Sequence, residues 1–284
     1  MKKRKILTIG IVFFCAICTW VIYQNKAVGI TNYEIDCRSS PELSGFTIVQ
    51  ISDFHNEKFG ENQQKLIQKV SECNPDMIAI TGDFIDCRHP DVELAMQFIN
   101  NAVEIAPVYY VPGNHERWAT EEYEQLCQQM NEAGVYLMAN TVEYISYGSG
   151  NIVCMGIEDP DFYSVIGADN EKEAAKNYIK GLDYEENDFT LLLSHRPELF
   201  DAYVEEKMDI VLTGHAHGGQ LRLPLIGGLA APNQGLFPEY DAGMFEEDGT
   251  HMIVSRGIGN SIIPLRINNP PEIVVVKLTA DSNM

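Results

Sequence analysis

The sequence predicts an α/β fold, and three observations carry that prediction. Short apolar runs alternate with stretches whose apolar residues recur at helical spacing. Most of those runs end in a tight cluster of Gly, Asp, Asn or His. Of the 284 residues, 45% are apolar, with no internal repeat and no low-complexity segment, which supports a packed core.

The chain opens on a basic cluster, Lys2-Lys3-Arg4-Lys5, followed by an uncharged, mostly apolar run from Ile6 to Tyr23. As a helix that run would reach about 27 Å, close to the thickness of a bilayer's hydrocarbon layer. Trp20 and Tyr23 stand at its far end, where aromatic rings favour the membrane interface. The excess of Lys and Arg before it places residues 1–5 in the cytoplasm, residues 6–23 in the cell membrane as a single-pass signal anchor, and the rest outside. A cleaved signal peptide is the competing reading. Its apolar region would be unusually long and its best small-residue site is only Ala27-Val28-Gly29, so the uncleaved anchor is favoured. Residues 24–32 then form a connector to one domain over 33–284.

Within that domain, Tyr33–Cys37 alternates like an edge strand and Phe46–Ile51 is a stronger one. Leu66, Ile67, Val70 and Cys73 mark a helix that Asn74-Pro75 ends. Met77–Thr81 reads as a strand, Leu94 to Ala102 as a helix, and Val108–Val111 as a strand. Thr120 is expected to cap the next helix, which Gly134 stops. Strands follow at 142–146 and 151–157, then an acidic excursion with a helix over 171–180 that Gly181 ends. Phe189–Ser194 and Ile210–Leu212 are buried-strand patterns; 252–255 and 272–278 complete the set. Residues 218–237, rich in Gly, Pro and Leu, are expected as a long loop.

The charge balance of 41 acidic against 20 basic residues, a net −21, excludes nucleic acid as a natural partner. Seven cysteines, none in a Cys-x-x-Cys pair within the domain, indicate neither a zinc ribbon nor a disulfide framework.

Five expected strand ends carry metal-type ligands: Asp53 and His55; Asp83; Asn114 and His115; His195; His215 and His217. Sites in α/β sheets assemble beyond the carboxyl ends of strands. Any one of these residues alone reads as a cap or a satisfied polar group, but their joint placement does not. Oxygen and imidazole donors without thiolate suit Mn²⁺, Fe or Zn²⁺, and their number suits two ions about 3.5–4 Å apart.

Asp53-x-His55, Gly82-Asp83, Gly113-Asn114-His115-Glu116, His195 and Gly214-His215-x-His217 resemble, in order, the five motifs of the calcineurin-like metallophosphoesterase superfamily. Further stretches, 218–224, 232–235, 240–243 and 255–261, are similar to its bacterial membrane-associated branch of YkuE/YaeI type. The resemblance implies a four-layer α/β/β/α sandwich of two facing mixed sheets. It also implies one metal held by Asp53, His55, Asp83 and His217, and a second by Asp83, Asn114, His195 and His215. Hydroxide activated between the metals would attack phosphorus, with His115 protonating the leaving oxygen and Asp86 orienting that imidazole. One departure counts against a protein phosphatase: Asp86 is followed by Cys87 and then Arg88, not by Arg-Gly. The phosphate-holding cation is therefore open among Arg88, Arg117, Arg196, Arg222 and Arg256.

The expected activity is a membrane-anchored phosphoesterase or pyrophosphatase, with lipid-linked or sugar-nucleotide envelope substrates in view. The alternatives are a phosphodiesterase or nucleotidase for soluble substrates and a metal-bound, non-catalytic scaffold. The scaffold is disfavoured because every ligand and the acid histidine are present.

Overall fold

Apolar alternation with a period of two gives each central strand two buried faces, and the chain satisfies them with three separate cores. In the computed structural model, which describes residues 2–163, 167–184, 188–260 and 265–280, the strands form two six-stranded mixed sheets. The first sheet has the order β1 (Gly29–Asp36), β16 (Glu272–Thr279), β2 (Thr47–Ile51), β3 (Met77–Thr81), β4 (Val108–Val111), β5 (Tyr136–Leu137). The second runs β14 (Gly243–Glu247), β15 (Thr250–Val254), β9 (Ile210–Thr213), β8 (Phe189–Leu193), β7 (Gly150–Gly156), β6 (Thr141–Tyr147). The inner strands β2, β3 and β4, like β7, β8 and β9, are parallel neighbours, so their carboxyl ends lie at one end of the molecule.

Neighbouring residues of one strand serve different layers. Ile78 and Ile80 of β3 pack against the helices α2 (Gln64–Glu72), α3 (Val92–Ala102) and α5 (Thr120–Glu132). Met77 and Ala79 face Leu191, Leu193, Ile210 and Leu212 of the second sheet. On that sheet's far face, Leu192 and Val211 meet Ala175 and Ile179 of α6 (Ala168–Gly181) and Tyr203 of α7 (Phe200–Glu205). The result is helix, sheet, sheet, helix, in agreement with the expected sandwich.

Several boundaries move for identifiable reasons. The N-terminal helix α1 covers Lys2–Lys26 and β1 starts at Gly29 rather than Tyr33, because β16 pairs with it from Gly29 onward. Thr120 is not the cap of α5. A short helix, α4 (Asn114–Trp118), runs almost straight into it, the N-cap position is Ala119, and the Thr120 hydroxyl donates instead to the Arg117 carbonyl at 3.1 Å. The helix in the acidic excursion is longer than expected, beginning at Ala168. The 218–237 segment is not a plain loop: it folds into two short hairpins, β10 (Arg222–Leu223) with β11 (Gly227–Gly228) and β12 (Ala230–Ala231) with β13 (Gly235–Leu236). Among the described residues, Cys15, Cys37, Cys73, Cys87, Cys127 and Cys154 are free thiols.

Candidate metal centre

The loops leaving β2, β3 and β4 on one sheet and β8 and β9 on the other converge at one end of the sandwich. They bring together all eight residues singled out in the sequence: Asp53, His55, Asp83, Asn114, His115, His195, His215 and His217 are each at most 6% exposed. Five of them, Asp53, His55, Asp83, His215 and His217, have φ between 45° and 65°. Left-handed backbone at a non-glycine residue is uncommon and costs on the order of 1 kcal/mol or more, so its concentration here marks a functional site.

The donors form three groups: two share Asp83, and a third brings Asp86 within reach of His55 and His115. In the first, Nε2 of His55 and Nε2 of His217 lie 3.2 Å apart, with Asp53 Oδ1 at 3.3 Å from His217 and Asp83 Oδ2 at 3.6 Å from His55. In the second, His195 Nε2 is 3.4 Å from Asp83 Oδ2 and 3.3 Å from His215 Nδ1. Asn114 Oδ1 is buried beside them without a hydrogen bond. Facing imidazole nitrogens, converging carboxylates and an unsatisfied amide oxygen are what cations would satisfy, so the residues present fit a pair of metal ions.

The surrounding polar groups hold the donors in place. Asp83 Oδ1 accepts from the His115 backbone N–H at 2.9 Å, leaving Oδ2 as the oxygen shared by both groups. Both Asp53 oxygens accept from the His215 N–H, and Ser52 Oγ donates to Asp53 Oδ2 at 2.7 Å. His195 Nδ1 donates to the Thr81 carbonyl at 2.8 Å, which directs Nε2 at Asp83. Glycine is required where the loops touch: a Cβ on Gly113 would collide with Asp83 Oδ1 and with His195 Nε2, and one on Gly214 with Ser52 Oγ and Asp53 Oδ2.

Burial and mutual charge set the protonation states. Desolvation pushes His215 and His217 well below the ordinary imidazole range and His55 down to about 3, so these rings are neutral donors. Desolvation raises Asp53 to about 6. Burial also works against the charged form of Asp83, but the imidazoles of His195, His115 and His55 outweigh it and hold the carboxyl well below its usual range. His195 is the converse: burial pulls it down, and the Asp83 carboxylate more than reverses this, lifting it to about 10.

Glu116, quoted in the sequence only as the last residue of its motif, has a structural role of its own. It is fully buried and its carboxylate accepts from the backbone N–H groups of Gly113, Asp83, Phe84 and Ile85, at 2.6–3.0 Å, tying the β3 loop to the β4 loop. The signal was available: a Glu three residues after the residue that starts a helix is half of a capping box. A correction concerns His115. Asp86 does not hydrogen-bond its ring; the Asp86 carboxylate is held by the Arg88 guanidinium at 2.7 Å, and His115 Nδ1 instead accepts from the Cys87 N–H at 3.1 Å. That bond leaves Nε2 as the proton-bearing nitrogen.

A cavity of about 140 Å³ opens onto the centre, lined by Asp83, Asn114, His115, His215 and His217 and rimmed by Trp118, Asp161, Arg196, Pro232 and Asn233. Of the five arginines left open as phosphate-holding cations, Arg196 alone lines this cavity, and Asp159, Asp161 and Glu198 already surround its guanidinium. Arg222 and Arg256 line a different cleft, with Thr31, Tyr33 and Glu272. A larger cavity of about 550 Å³, around Phe189, Thr190 and Asp209, sits at the opposite ends of β8 and β9 and holds no metal-type cluster among the described residues.

Comparison with known proteins agrees with this geometry. Residues 46–219 match the family described as calcineurin-like phosphoesterase. The chain is 29% identical over 251 residues to the uncharacterized metallophosphoesterase YkuE of Bacillus subtilis, covering 83% of this chain and 80% of that one. It is 28% identical over 240 residues to phosphodiesterase YaeI of Escherichia coli, covering 82% of each. A transmembrane protein with metallophosphoesterase domain from Danio rerio is 26% identical over 263 residues, covering 88% of this chain and 57% of the relative. With the metal-type donors converging at the loops that the family match spans, the chain belongs to the calcineurin-like phosphoesterase family and is a metal-dependent phosphoester hydrolase.

Proposed function

We propose that this protein is a membrane-anchored hydrolase of phosphodiester or pyrophosphate bonds that works outside the cytoplasmic membrane, on lipid-linked or sugar-nucleotide substrates of the envelope. The observation that carries the chemistry is the pair of donor groups sharing Asp83 Oδ2 at the floor of the cavity. Asp53, His55, Asp83 and His217 would hold one ion, and Asp83, Asn114, His195 and His215 the other. When bound, such ions supply Lewis acidity and an activated water. Mn²⁺, Fe and Zn²⁺ all suit these donors.

The chain's own residues supply the rest. His115 places a proton-bearing Nε2 on the cavity wall, facing the space a phosphoryl group would occupy, while the neighbouring Asn114 turns its amide to the centre. His115 Nε2 can deliver its proton to the departing oxygen while the Cys87 N–H keeps the ring oriented. Trp118, whose ring centroid is 5.3 Å from that of His115, borders the space for the leaving group.

Support for the anchor comes from α1, of which Thr8–Lys26 is long and apolar enough to cross a membrane, and from the Danio rerio relative described as a transmembrane protein. The apolar hairpins beside the cavity support an amphiphilic substrate.

The test is turnover of an aryl phosphodiester with added Mn²⁺ or Zn²⁺, alongside metal content. Asp83→Asn should abolish turnover and reduce bound metal, because one carboxylate serves both sites. His115→Asn should retain metal and lose turnover by about 10²-fold or more, less for substrates with good leaving groups. Loss of metal from His115→Asn would reject its assignment as proton donor.

A further inference from the structure

The hairpins that follow the last metal ligands present a row of large apolar side chains to the outside: Leu223, Leu225, Ile226, Leu236 and Phe237. Leu225 is fully exposed and Leu236 is 71% exposed, although packed chains normally turn such residues inward. Leu225 and Phe237 also hold left-handed backbone, with φ of 69° and 55°, where Gly or Asn would be at ease. The two hairpins are joined to each other, since the Leu229 N–H donates to the Leu221 carbonyl and the Leu229 carbonyl accepts from the Phe237 N–H. They are coupled to the centre on one side, because the Leu229 N–H also reaches Gly219 and the second hairpin's turn, at Pro232 and Asn233, lines the metal cavity.

On the other side they are coupled to α1. The Arg222 N–H donates to the Ile267 carbonyl, and Asn268 Nδ2 donates to the Arg222 carbonyl. One residue earlier, Arg266 exchanges two hydrogen bonds with the side chain of Asn25 in the last turn of α1. The base of the first hairpin and the end of the apolar helix therefore grip adjacent residues of a single stretch. The helix itself leaves Phe13 and Phe14 about two-thirds exposed.

Charge follows the same division. In a chain with 41 acidic residues, none occurs before Glu34, none between Asp209 and Glu239, and none between Ser255 and Glu272. The acid-free segments are those that bear the helix, the hairpins and the stretch that joins them. None of these segments contributes a carboxylate of its own to that face, and the two acids that reach it, Asp241 beside the first hairpin and Glu57 beside the end of α1, are paired with Arg222 and Lys26.

We infer that the two hairpins form a second membrane contact, seated in the headgroup region of the phospholipid bilayer beside α1, so that the mouth of the metal cavity opens at the lipid surface. This deepens the proposed function and rests on its membrane anchor. The strain at Leu225 and Phe237 is then the cost of pointing apolar tips at lipid rather than at the core.

The full chain reconstituted in phosphatidylcholine vesicles tests the contact directly. Ile226→Trp should lose at least half of its added fluorescence when the lipid is replaced by a brominated phosphatidylcholine. Tyr144→Trp, on an exposed strand of the second sheet, should not. Equal, weak quenching of both would overturn the inference, as would a dimer in detergent that depends on these residues and leaves Ile226→Trp unquenched. A combined Leu225→Ser, Ile226→Ser, Leu236→Ser, Phe237→Ser variant gives the functional arm. It should keep a soluble aryl phosphodiesterase rate within twofold and an unchanged melting temperature, yet lose at least fivefold on a phosphodiester carried by two acyl chains in the vesicle. Equal losses on both substrates would assign the hairpins to the fold instead. Absence of any phosphoesterase activity in the unaltered chain would reject the proposed function, whereas the quenching result stands independently of turnover.

Discussion

Asp83 meets two demands at once: one oxygen is spent on the His115 amide and the other is shared by two groups of donors. Beside it, burial pulls the His195 imidazole down but the Asp83 carboxylate outweighs this and lifts its pKa to about 10. Loading with metal at pH 7 must displace the imidazole's proton, so binding should release about one proton and the apparent affinity should fall as pH falls. Calorimetry in buffers of different ionisation enthalpy checks this, and buffer-independent heats would contradict it. The same shift predicts a stability trend. A group whose folded pKa exceeds its unfolded value of about 6.5 stabilises fully below that value and loses its contribution as pH rises toward 10. Chelator-treated protein should therefore weaken from pH 7 to 9, and metal-loaded protein should not, by thermal denaturation. Glu116 tests the scaffold behind the ligands. Glu116→Ala leaves four buried amides without their acceptor and should cost about 3 kcal/mol or more, whereas Glu116→Gln, retaining one acceptor oxygen, should cost less.

At the scale of elements, every candidate ligand sits just past a strand's carboxyl end, where the ladder stops constraining the backbone and φ can turn positive. The strands supply rigidity and the loops supply direction. Gly113 shows how little slack remains, since the β3 and β4 loops approach more closely than a methyl group permits. Gly113→Ala should thus displace Asp83 and His195 together. The expected outcome is loss of more than half of the bound metal in a protein that keeps its far-ultraviolet circular dichroism; full metal content would show that the loops can relax.

For the whole molecule, α1 and the domain meet through few polar contacts, among them Asn25 with Arg266 and Lys26 with Glu57. Among the described residues, the domain's cores include no apolar side chain of α1. Removing residues 1–24 should therefore yield protein that no longer sediments with membranes and melts within a few degrees of the full chain. In intact cells without a protective outer layer, added protease should digest the domain if it lies outside. Complete protection would reverse the proposed topology.

The sequence by itself determined the alternation of strands and helices, the strand ends at which candidate ligands cluster, and the eight residues that the fold brings together there. These are local properties: periodicity is read within one element, and a ligand such as Asp53 or His215 stands next to the apolar run that positions it. Only the tertiary structure decided which oxygen of Asp83 is shared, that Cys87 rather than Asp86 meets the His115 ring, and that Glu116 braces two loops. It likewise decided that the 218–237 segment folds into hairpins tied to α1 through residues 266–268. Each of those depends on groups distant in the chain, whose distances and directions arise only when two sheets close face to face, and no periodicity encodes them.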